Sequence, residues 1–126
     1  MRLVVGISVL ASLLWPTSFV VAGSLKDDIK NGRATAQQHC SRCHVIGDFN
    51  PNGGISSTPS FQLLVNALKD YEERFDTFYV RPPHPAVIII EGIKKRDDLP
   101  YNAAPVKLTS QDVENIAAFA KTLKKK

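Results

Sequence analysis

Two cysteines occur in the chain, and only two residues separate them: Cys40-Ser41-Arg42-Cys43, followed at once by His44. No other feature restricts the fold so tightly. C-x-x-C-H is the attachment signature of c-type haem, in which two thiolates form thioethers to the porphyrin vinyl groups and the adjacent histidine binds iron. On this reading Cys40 and Cys43 carry the cofactor, and His44 is the proximal iron ligand. A thioredoxin-type dithiol would be expected beside a strand-helix unit, and zinc would need further ligands at matching spacing. Neither pattern is visible. The usual second axial donor is a methionine sulfur, yet the only methionine is Met1.

Residues 1–22 read as an export signal. Arg2 supplies a positive start, residues 3–15 are an apolar run, and Pro16, Thr17 and Ser18 interrupt it. Val20-Val21-Ala22 suits a small-residue cleavage site, so cleavage after Ala22 is expected. An uncleaved membrane anchor is the alternative, since residues 3–22 are almost long enough to span a bilayer. Either outcome places the remainder beyond a membrane, where c-type haem is attached, and periplasm is the expected location. Removing 22 of the 126 residues leaves 104, residues 23–126, enough for one small domain. A covalent haem would enlarge its apolar core. Loss of Arg2 leaves 15 basic against 12 acidic side chains, a net charge of +3. So mild a charge does not suggest nucleic-acid binding.

Periodicity gives the elements. Residues 24–40 predict a first helix, with Ser24 as N-cap and Asp27 and Asp28 in the first turn. Ile29, Gly32 or Arg33, Ala36 and Cys40 fall along one side. Gly47, Pro51, Gly53 and Gly54 make residues 45–59 a loop. Phe61, Leu64, Val65 and Leu68 repeat at helical spacing. A shorter helical stretch spans residues 71–80, until Pro82, Pro83 and Pro85 stop it. Residues 86–95 are ambiguous, β-branched at first and then compatible with a helical turn. A last helix opens at Thr109, with Asp112 completing a capping-box variant.

These residues together resemble a class I monohaem c-type cytochrome of the bacterial, exported kind, over essentially the whole mature length. The matching positions are Gly32 in the first helix, Cys40-x-x-Cys43-His44, Pro59-Ser60-Phe61, and Ile116-Ala117-Ala118-Phe119 in the last helix. The resemblance implies an all-α fold with N- and C-terminal helices packed beside the attached haem. Gly32 and Ala36 would then approach Ala117 and Phe119 or Ala120. It also implies that the Pro59 carbonyl accepts a hydrogen bond from His44, which would fix the imidazole and strengthen it as a donor.

The chain departs from the family where methionine should stand. Leu99-Pro100 looks like the family's Met-Pro pair in one register. In another, His84-Pro85-Ala86-Val87 places Val87 at the ligand position. Neither aliphatic side chain binds iron. Three outcomes follow: His84 as sixth ligand, a five-coordinate iron in an apolar pocket, or another donor such as Asn102, Tyr101 or a lysine. His39 is tied to the cysteine side, whereas His84 sits in a stiff Pro82-Pro83-His84-Pro85 loop that would suit a ligand. The alternatives for His84 are an ordinary loop histidine or one bonded to a haem propionate.

Arg42 and Arg81 are candidates for propionate contacts, with solvated arginines as the alternative. Lys94-Lys95-Arg96 and residues 121–126 would form a docking patch for an acidic redox partner, or simply solvated faces. The expected function is electron transfer by a monomeric, non-enzymatic carrier that uses haem iron. Membrane contact is expected only if the signal is retained. The alternatives are a five-coordinate protein that binds a gas or peroxide, and a cytochrome subunit dedicated to one dehydrogenase or oxidase.

Overall fold

Two capped helices form the frame. Helix α1, Leu25–His39, begins where Ser24 turns extended and its hydroxyl accepts from the Asp27 amide, with Asp27 and Asp28 against the positive helix end. The last helix, Ser110–Lys121, opens on a reciprocal capping box. The Asp112 amide donates to Thr109 Oγ1 at 3.1 Å, and the Thr109 amide donates to Asp112 Oδ2 at 2.8 Å. The computed structural model describes residues 24–94 and 104–125. The expected signal at 1–22 and the candidates Leu99, Pro100, Tyr101 and Asn102 lie outside the described residues.

Between these helices run α2, Phe61–Ala67, and α3, Tyr71–Asp76. Single 3-10 turns follow at Phe78–Val80 and His84–Ala86. Helix α2 is capped by Ser60, whose hydroxyl accepts from the Leu63 amide at 3.0 Å. The final helix is therefore α4. Among the described residues no helix is long and apolar enough to cross a membrane.

Helices α1 and α4 cross at backbone contact. A Cβ on Gly32 would lie 1.8 Å from the Asn115 carbonyl oxygen, so only glycine fits there. Gly32 therefore meets Asn115 and Ile116, just before the Ala117 to Ala120 stretch expected to face Gly32 and Ala36 together. Arg33 lays its guanidinium over Phe119, 5.3 Å from the ring centre. Ala36, Ile46, Phe61, Val65, Phe75, Val113, Ile116 and Phe119 are among the buried core side chains.

The all-helical expectation holds for the architecture but not for every residue. The ambiguous β-branched run becomes β1, Ile88–Ile90, paired in parallel with β2, Val106–Leu108. Ile90 and Leu108 point inward at the end of this short ladder, and both are buried. A run of isoleucines packs readily as a half-buried strand, which helix periodicity cannot reveal.

Candidate cofactor-attachment site

The end of α1 presents the motif. Cys40 caps the helix and donates its amide to Ala36 at 2.8 Å. The chain then folds back, with the Cys43 and His44 amides donating to the Cys40 carbonyl at 3.1 and 2.9 Å. This turn sets two free thiols and an imidazole side by side. Burial, reinforced by nearby Cys43, pushes the Cys40 thiol up to about 12. A redox dithiol requires the opposite, a thiolate stabilised near neutral pH.

The backbone of this turn is braced from outside. Asn50 donates to the carbonyls of Ser41 and His44 at 3.1 and 3.0 Å, and accepts from the Ile46 amide at 2.7 Å. Gln62 grips both backbone groups of Gly47, at 3.1 and 2.7 Å. Gly54 brings the returning loop against the motif. Its φ of +76° is left-handed, and a Cβ there would lie 2.9 Å from the Cys43 carbonyl. The next residue, Ile55, donates to that carbonyl at 2.9 Å. Asn50 and Gln62 are site residues that sequence reading missed, since each appeared only as a loop or surface amide.

The His44 ring is fixed by a hydrogen bond between Nδ1 and the Pro59 carbonyl, 2.7 Å long. Phe61 presents an edge to it at 5.4 Å and another to Phe75 at 4.9 Å. His84 also lies close. Its ring centre stands 6.1 Å from that of His44, with the ring planes only 11° apart. Phe78 packs edge-on against His84 at 5.6 Å. The Nδ1 of His84 bonds to the Arg81 carbonyl at 3.1 Å, and the same carbonyl receives the His84 amide at 3.0 Å.

A carbonyl oxygen can only accept, so Nδ1 carries the proton in both rings and Nε2 carries the lone pair when the imidazole is neutral. Burial lowers both histidines from the ordinary imidazole value, against the opposing pull of the carbonyls, with nearby His44 also lowering His84. Both rings are therefore neutral at pH 7.

The remaining candidates are placed differently. Arg81 directs Nε to the Thr77 hydroxyl at 2.9 Å and Nη2 to Glu73 at 2.8 Å. Arg42 is exposed on the motif turn. Val87 closes the His84 turn through its amide, at 2.9 Å, and its side chain is half-buried. Lys121 pairs with Glu72 at 3.1 Å, while Lys124 donates to the Val65 carbonyl at 2.9 Å and covers the Tyr71 ring. These two lysines thus brace the helix ends as well as carrying charge.

The donor set fits a haem better than a bare ion. Among the described residues no group of three or more His, Cys, Asp or Glu side chains is arranged to hold a metal. Two thiols and an imidazole on one turn, with Phe61 against His44 and Phe78 against His84, suit a flat apolar group attached at its edge. Fold and site together define a small c-type haem domain. Residues 29–124 match the family model for Cytochrome c, and the chain belongs to that family. Its members bind covalently attached haem c with iron and serve electron transfer. No curated protein and no solved structure matches the chain.

Proposed function

We propose that this protein is an exported monohaem cytochrome that carries single electrons in the periplasm. Cys40 and Cys43 hold the haem by thioethers, and His44 is the proximal iron ligand. When bound, the haem supplies an iron that alternates between ferrous and ferric states. His44 gives its Nε2 lone pair to that iron, while the Pro59 carbonyl holds the Nδ1 proton and makes the ring a stronger donor. The observation that carries the reading is the bracing of the attachment turn by Asn50 and Pro59, with Gln62 holding the loop behind it at Gly47. A pre-braced ligand turn suits electron transfer, because little has to rearrange when the charge on the iron changes.

The absence of a methionine beyond Met1 points to a lower reduction potential than in His/Met relatives, because methionine ligation raises it. The modest positive charge favours an acidic redox partner. The experiment is a reversible redox titration of the purified holoprotein, repeated under carbon monoxide. The carrier reading predicts a one-electron couple and slow or negligible carbon monoxide uptake. Rapid uptake from a high-spin ferrous state would replace it with the ligand-binding reading.

A further inference from the structure

We infer that His84 is the sixth ligand of the haem iron, with Arg81 as its positioning residue acting through its main-chain carbonyl. Three observations converge. The His44 and His84 ring centres are 6.1 Å apart with planes 11° from parallel. Imidazoles bound on opposite sides of one metal, at nitrogen–metal distances of about 2 Å, place their centres about 6 Å apart. The centre spacing and the small tilt thus match what two imidazoles sharing one metal require.

The second observation is the shared treatment of the two side chains. Each Nδ1 is tied to a backbone carbonyl, Pro59 for His44 and Arg81 for His84. The Nε2 of each ring is the nitrogen left to face a metal. Metal-binding histidines are held in this way, by a bond from the nitrogen that does not face the metal. A histidine retained only for loop structure has no need of a second, matching orientation.

The third observation is the rigidity of the presenting turn. Arg81 O accepts from both the amide and the ring of His84, Val87 donates back to the His84 carbonyl, and Phe78 fixes the ring by its edge. Prolines on both sides limit backbone freedom. The Arg81 side chain is itself anchored by Thr77 and Glu73, which holds its carbonyl in place. Ligation would leave Nδ1 protonated and commit the Nε2 lone pair of His84, so a bound haem iron would be six-coordinate and low-spin.

The inference rests on the haem-carrier reading but is separable from it. The test compares ferric wild type with His84→Ala by electronic absorption, after mass measurement shows haem attached to both. Low-spin wild type, a high-spin variant, and return of the variant to low spin on adding free imidazole are expected. An unchanged low-spin variant, or a high-spin wild type, overturns the assignment while leaving the attachment reading intact. Wild type without attached haem overturns both. Should the variant not accumulate, electron–nuclear hyperfine spectra of wild type with isotope-labelled histidine decide the matter. Two coordinated imidazoles are expected, and one would overturn the proposal.

Discussion

The two sides of the haem site are built to different standards. On the cysteine side the ligand turn is continuous with a 15-residue helix and cross-braced by Asn50, Gln62 and Ile55. On the far side His84 is carried by one three-residue turn, its ring bonded to the Arg81 carbonyl and packed against Phe78, with no side-chain amide among the described residues bracing the backbone. The hydrogen bonds that aim the rings differ in the same sense, 2.7 Å for His44 and 3.1 Å for His84. One side must hold the cofactor permanently. On the proposed ligation the other has only to aim one imidazole, which a short, locally rigid turn can do.

Removing the heavier side should cost most. His44→Ala is expected to abolish accumulation of folded holoprotein, whereas His84→Ala keeps its covalent haem. Haem-linked mass and yield measure the contrast, and equal loss in both variants would erase it. Asn50→Ala removes three backbone hydrogen bonds, at roughly 1 kcal/mol each, and should destabilise by about 3 kcal/mol in chemical denaturation. Its low-spin spectrum should persist, because the brace supports the turn and not the far ligand.

Acid sharpens the same difference. The imidazoles of His44 and His84 are both lowered in the fold, so an unfolded chain takes up these protons at higher pH than the native one. Their stabilising contribution is complete above the ordinary imidazole value, near 6.5, and is lost as pH falls through the depressed values. Iron binding pushes both further down. A spectral acid titration should release His84 first and His44 later, in two separate steps. Smallest is the effect of Glu73→Gln, which frees one anchor of Arg81. As an exposed pair it is worth at most about 1 kcal/mol, and thermal denaturation should register little change.

Legibility followed the same division. The attachment turn, its Pro59 partner and the caps at Ser24 and Thr109 could be read directly, because each depends on residues a few positions apart or on a family pattern. Asn50 and Gln62 could not, since an amide reveals its partners only after the loop has folded back. His84 was visible as a candidate, but nothing in a 40-residue separation from His44 fixes two rings parallel. That arrangement arises from the Arg81 turn and from Phe78, both tertiary. The crossing of α1 and α4 was foreseen through Gly32, whose nearest neighbours are Asn115 and Ile116 rather than an alanine. Small residues are repeated along α4, and they do not say which one a glycine will meet. The isoleucine run became a strand because its partner lies at Val106–Leu108, beyond the reach of local periodicity.

The most direct test of the paired imidazoles is the electron paramagnetic resonance spectrum of oxidised wild type. Near-parallel rings on opposite faces of the iron predict a rhombic low-spin signal, the pattern of two imidazoles with aligned planes. An axial high-spin signal would mean that His84 does not reach the iron, and the account of the far side would fall.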